Sequence, residues 1–217
     1  MDFSSERAFL GQMQSLHASG GDLNAFIHAD YGTRLHHAAR RGWCAGIEFL
    51  CTHGADVNGK DQYWTPLHCA ALDGHCDAAV LLLDAGARVG DPISDGWTAL
   101  HWAADSGHTN MCQLLLCRGA SLDARDECDN DPEALARRHG HTATADFLAA
   151  VRAAGGWWGH VDAQAAPQRR ALLVLRRALP ALRARRAAAP WNDRLLERLF
   201  VDVPEDVFTA IFAYWSA

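Results

Sequence analysis

Residues 96–130 open with Gly96-Trp97-Thr98-Ala99-Leu100-His101-Trp102-Ala103-Ala104-Asp105-Ser106-Gly107-His108, run through the apolar Leu114-Leu115-Leu116, and turn at Gly119-Ala120-Ser121-Leu122-Asp123. The pattern recurs upstream. Thr65-Pro66-Leu67-His68 leads to Ala70-Ala71, Gly74-His75, Leu81-Leu82-Leu83 and Gly86-Ala87. Before it, Thr33-Arg34-Leu35-His36 leads to Ala38-Ala39, Gly42, Phe49-Leu50 and Gly54-Ala55-Asp56-Val57-Asn58. The threonines Thr33, Thr65 and Thr98 stand 32 and 33 residues apart, and Gly42, Gly74, Gly107 and Gly140 carry the period into a fourth unit. A fixed period of this length marks units that bury their apolar faces only by stacking on their neighbours.

Each unit reads as two short helices. The first starts just after Thr-x-Leu-His, with the threonine able to cap it, carries alanines where a neighbour must approach closely, and stops near Gly42, Gly74 or Gly107. The second, over about 45–51, 77–84 or 110–117, carries leucines at helical spacing and stops at the next glycine. Upstream, 4–18 reads as a helix with Phe9, Leu10, Met13 and Leu16 on one broad face, followed by Gly20-Gly21-Asp22-Leu23-Asn24, an echo of Gly54-Ala55-Asp56-Val57-Asn58. In the fourth unit Asp131 and Glu133 replace the threonine and leucine, while Leu135, Ala136, Gly140 and His141 keep phase.

A period near 33 built on Thr-Pro-Leu-His-x-Ala resembles the ankyrin repeat. The resemblance implies an all-α ankyrin-repeat solenoid, helix-turn-helix repeats with loop or β-turn tips, plus a helical C-terminal extension. The expected organisation is an ankyrin-repeat domain over 1–156, a linker over 157–167 anchored by Trp157 and Trp158, and a helical tail over 168–217. Within the domain lie a half-repeat N-cap (1–30), repeats at 31–61, 62–95 and 96–128, and a C-capping repeat (129–155).

Composition narrows the function classes. Residues 1–156 carry 11 basic and 20 acidic side chains, residues 157–217 carry 9 and 6, so the repeats would repel nucleic-acid phosphate. No basic stretch followed by an apolar run opens the chain, and no stretch is long and apolar enough to span a membrane. Seven cysteines without a Cys-x-x-Cys fit a reducing compartment. The expected setting is therefore intracellular, cytoplasmic or nuclear.

His36, His68 and His101 invite a metal reading, yet equivalent positions in stacked helices lie roughly 8–10 Å apart, whereas a shared ion needs ligands near 2 Å. Hydrogen bonding within the turn is the expected role. Cys69, Cys76, Cys112 and Cys117 lack metal-ligand spacing, and His139-Gly140-His141 is the cap's own Gly-His signature. No glycine-rich phosphate loop follows a strand, and no nucleophile, base and orienting acid can be grouped. No catalytic residue, cofactor or metal is expected. An enzyme remains the competing class and would need a cleft of convergent polar groups.

The ankyrin resemblance implies a protein-binding surface on the loop tips, Tyr31, Gln62, Tyr63, Trp64, Asp95 and Trp97. It extends over the exposed edges of the first helices, Arg40, Arg41, Leu72, Asp73, Asp105, Ser106, Arg138 and His139. Trp64 and Trp97 precede the motif threonine in adjacent repeats, either as exposed interface anchors or packed on neighbouring loops. Trp102, at an apolar inward slot, is assigned to the core. Leu50 followed by Asp56-Val57-Asn58 resembles the ankyrin site modified by asparaginyl hydroxylases, which makes Asn58 a candidate for hydroxylation.

The tail carries Leu172, Leu175, Leu179 and Leu182 in one stripe among Arg169, Arg170, Arg176, Arg177, Arg183, Arg185 and Arg186, with Pro180 interrupting it. Leu172-x-x-Leu175-Arg176, then Val203-Pro204-x-x-Val207-x-x-x-Ile211, resembles a SOCS box; 203–212 equally resembles the opening helix of an F-box. The first resemblance implies elongin and cullin as partners, the second a Skp-type adaptor, with Val207, Phe208, Ile211, Phe212 and Trp215 as the docking face. Two other readings stand: tail helices that only cap the last repeat, and an arginine segment that acts as a nuclear-localisation or anionic-membrane patch.

Overall fold

The computed structural model describes residues 5–28, 32–61 and 63–164; the expectations for Tyr31, Gln62 and everything from 165 onward, the tail face included, lie outside them. The chain divides into two units, Met1–Trp157 and Trp158–Ala217.

The first unit is a stack of helix pairs. After α1 (Glu6–Ala18) and a short antiparallel pair, β1 (Phe26–His28) with β2 (Gly32–Thr33), come α2 (Arg34–Arg41) with α3 (Cys44–Thr52) and α4 (Pro66–Leu72) with α5 (Cys76–Asp84). Then follow α6 (Ala99–Asp105) with α7 (Thr109–Cys117) and α8 (Pro132–Arg138) with α9 (Thr142–Ala153). First helices pack in one row, α2, α4, α6 and α8; second helices pack in another, α1, α3, α5, α7 and α9. Leu35, Ala38, Leu67, Ala70, Leu100 and Ala103 are buried between the rows with Ile47, Leu50, Leu82, Met111 and Leu115. The alanines let helices approach without leaving voids.

Local chemistry explains the element ends. Thr33, Thr65 and Thr98 are N-caps in extended conformation, each in a reciprocal capping box completed by the histidine three residues on. In α8 Asp131 takes over, its carboxylate accepting from Ala134 N at 2.8 Å. Glu133, at the slot where Leu67 and Leu100 are buried, reaches Arg152, which also donates to Asp131 (2.9 Å), Asp123 (3.0 Å) and the Leu122 carbonyl (3.3 Å). An ion-pair cluster thus closes the last repeat where an apolar residue would face water. At the other end Arg34, at the slot of Pro66 and Pro132, donates to the Asp22 and Ala25 carbonyls and ties the first loop to α2.

Two features were not expected. Within the expected linker at 157–167, Trp157–Gln164 forms a helix, α10. The double glycine follows the end of α9, and α10 forms beyond it despite Gly159 within it. Trp102 packs against the core as assigned but is only half-buried. His37 and Cys69 fill the same slot and are buried, but an indole is too large for it. Among the described residues no helix is long and apolar enough to cross a membrane.

Candidate protein-binding face

The site begins with the histidine that holds each tip. Thr33 N–H donates to Nδ1 of His36 at 3.3 Å, so the ring carries its proton on Nε2, which donates to the Trp64 carbonyl of the next repeat at 2.9 Å. His68 and His101 accept in the same way from Thr65 N (3.2 Å) and Thr98 N (3.1 Å). The Nε2 of His68 faces the Asp91 and Trp97 main chain and that of His101 the Asn130 main chain, neither within hydrogen-bond range. Burial keeps all three rings neutral, lowering the pKa of His36 and His101 and pushing that of His68 to about 4. These histidines are structural, as their spacing implied.

A second histidine series locks one repeat to the one before. His75 donates from Nε2 to the Arg40 carbonyl at 3.1 Å, and His108 to the Leu72 carbonyl at 3.0 Å. Their rings, and that of His141, lie against Gly42, Gly74 and Gly107 so closely that a Cβ there would sit within 3 Å of ring atoms. In the first repeat Trp43 holds this slot and packs on Phe9, 5.1 Å between centroids with the rings tilted by 43°.

On this frame the tips present aromatic side chains. Asp61 Oδ1 accepts from Tyr63 N (3.0 Å) and Trp64 N (2.8 Å), an Asx turn that leaves Tyr63 54% exposed. Trp64 and Trp97 are both half-buried, and each lies 4.4 Å from Trp102, at interplanar angles of 37° and 52°. The Arg40 guanidinium sits 5.7 Å over the Trp64 ring. Arg40, Trp64, Trp102 and Trp97 therefore form one row across three repeats.

Other expected residues fall around this row. Leu72 is half-buried and Asp73 exposed at the end of α4; Asp95 is exposed ahead of Trp97; Ser106 caps α6. Asp105 meets His139 Nδ1 at 3.2 Å, and Arg138 beside it is exposed. Arg41 turns to a different partner, 5.9 Å over Trp43. Asn58 uses both ends of its amide, accepting from Arg88 N (2.9 Å) and donating to the Gly86 carbonyl (3.1 Å) of the next loop. Cys69 and Cys112 are buried, which pushes both thiols to about 12, the wrong direction for a nucleophile. Sequence reasoning missed Trp102 as the pivot of the row. The available signal was its size beside His37 and Cys69 at the same slot.

Stacked helix pairs joined by tips bearing different side chains define a repeat protein. Models for ankyrin repeats match the chain over residues 7–92, as three copies, and over 95–127, together more than half its length. The chain belongs to the ankyrin-repeat family. It is 39% identical over 64 residues to human protein phosphatase 1 regulatory subunit 27, a match covering 29% of this chain and 42% of that protein. Mouse protein phosphatase 1 regulatory subunit 12A is 41% identical over 68 residues, 30% of this chain and 7% of that one. The probable 26S proteasome regulatory subunit p28 of Saccharomyces cerevisiae is 52% identical over 52 residues, 23% of each. The chain thus spans less than half the length of these relatives.

Proposed function

We propose that this protein is a non-catalytic protein-binding module whose tips and first helices in repeats two and three form the recognition face. The observation that carries the reading is the row of Trp64, Trp102 and Trp97, three large aromatic side chains left half-exposed at neighbouring repeats. Tryptophan clusters of this kind dominate interface energetics. The ankyrin family and relatives named as regulatory subunits point to the same class. In the test, Trp64→Ala combined with Trp97→Ala abolishes capture of a partner isolated with the wild-type chain, while the helices melt at nearly the wild-type temperature. Unchanged capture rejects the face; a collapsed melting temperature makes both tryptophans structural.

The tail supplies a second, finer reading from its sequence: residues 168–217 dock a ubiquitin-ligase adaptor while the repeats hold a substrate. Lys60 is the only lysine against 19 arginines, which spares an adaptor from modification by its own ligase. Affinity purification then recovers elongin or a Skp-type protein with a cullin, and Phe208→Asp with Ile211→Asp removes it while the repeats stay folded. Recovery of neither adaptor leaves the binding-module reading alone.

A further inference from the structure

We infer that the row of Trp64, Trp102 and Trp97 binds arginine side chains of a basic partner segment. The inference deepens the proposed recognition face and rests on it. The chemistry is visible within the chain, because Arg40 already lies 5.7 Å over Trp64, within the range at which an indole face attracts a cation. Trp102 and Trp97 continue the same surface into the next repeat, and both remain half-exposed.

The charge around the row suits a cation. Asp105 stands one helical turn beyond Trp102 on α6, Asp73 is exposed at the end of α4, and Asp95 is exposed at the tip before Trp97. The facing cations are few and largely engaged: Arg40 lies on Trp64 and Arg41 on Trp43, while His139 meets Asp105 and Arg138 is exposed beside it. The 20 acidic against 11 basic side chains of residues 1–156 draw a basic segment toward this unit from a distance. Trp102 is a poor choice for packing alone, since its Nε1 is buried without a hydrogen-bond partner and other repeats fill the slot with smaller residues. Arginine fits better than lysine. Its planar guanidinium lies flat on an indole and presents a fork to an exposed carboxylate such as Asp95 at the same time.

The probe is a fluorescein-labelled alternating Arg-Gly peptide, titrated into the intact chain beside Lys-Gly and Glu-Gly peptides of equal length. Arg-Gly binds saturably and about tenfold more tightly than Lys-Gly, and Glu-Gly does not bind. Asp95→Asn and Trp102→Phe each weaken the Arg-Gly complex severalfold. In the unsubstituted protein the indole N–H resonances of Trp64, Trp97 and Trp102 move on addition of Arg-Gly, a readout free of any folding defect. No binding, equal binding of Arg-Gly and Lys-Gly, preference for Glu-Gly, or indole resonances that stay still each overturn the inference. If Arg-Gly fails while capture of a protein partner still depends on Trp64 and Trp97, only the arginine assignment falls. If that dependence is also missing, the recognition face falls with it.

Discussion

The imidazole of His108 lies against Gly74 and donates from Nε2 to the Leu72 carbonyl at 3.0 Å, which ties the start of one repeat's second helix to the end of the previous repeat's first. Two consecutive letters of the motif, Gly-His, thus act on different neighbours. The glycine receives the ring of the next repeat, and the histidine reaches back to the last.

This contact separates two costs of adding a methyl group. Gly107→Ala meets both a φ of 74° and a ring atom of His141 2.5 Å from the new Cβ, whereas Gly140→Ala, at φ 79°, finds nothing within 4 Å. Backbone strain alone costs about 1–2 kcal/mol. Urea denaturation is expected to show Gly107→Ala as the more damaging by at least about 1 kcal/mol. Equal losses would mean that the ring contact is easily relieved.

Leu67 and Leu100 are buried at equivalent positions of α4 and α6. Truncating either to alanine is expected to cost about 2–5 kcal/mol, since helices packed on both sides cannot collapse into the space. Near-wild-type denaturation midpoints for both would reject the packing described.

Acid should unfold the protein early. In the unfolded chain the histidines titrate near 6.5, while burial pushes His68 to about 4 and lowers His36 and His101 as well. Between these values the unfolded state binds more protons than the folded one. Stability is therefore complete above about pH 6.5 and drains as pH falls toward 4, with His68 alone contributing on the order of 3 kcal/mol. Melting temperatures recorded from about pH 7.5 down to about pH 4.5 check this, and a flat profile would remove the neutral-ring account.

Arg152 is expected to hold the final repeat. Its side chain is 35% exposed, and its partners Asp131 and Glu133 are largely covered. Arg152→Ala should cost about 1–2 kcal/mol, more than a lone surface pair, because it leaves a cluster of carboxylates facing one another. Hydrogen exchange should quicken in α8 and α9 before α4 and α6.

The repeat frame was legible because its causes are local and recur: a threonine cap, a histidine three residues on, a glycine past the helix end, alanines at the contacts. The second helices α3, α5 and α7 fall within about a residue of expectation for the same reason, whereas α4 and α6 begin directly after the threonine and not after the histidine. The β1–β2 pair was not legible, since Phe26–His28 lies outside the motif and strands of three and two residues are too short to show an alternating pattern. Nor was the helix at Trp157–Gln164, where the double glycine read as the start of a linker. At the candidate face, the positions of Trp64 and Trp97 followed from the period, but their meeting did not. Trp64 and Trp102 are far apart in sequence, and only the stacking of α4 on α6 brings the indoles to 4.4 Å. The rule that assigned Trp102 inward considered polarity and ignored volume.

The back-donating histidines also say something about how such a chain can be inherited. Every bond from His75 or His108 stops at the adjacent repeat, and repeats two and three each bring both the donor they offer and the glycine they expose. A tandem duplication of about 33 residues placed in phase between repeats two and three would arrive with both halves of the joint, leaving no orphaned donor at either seam. The gene can therefore lengthen by whole units without relearning how to fold, and each new unit adds one more tip on which selection can try a different side chain.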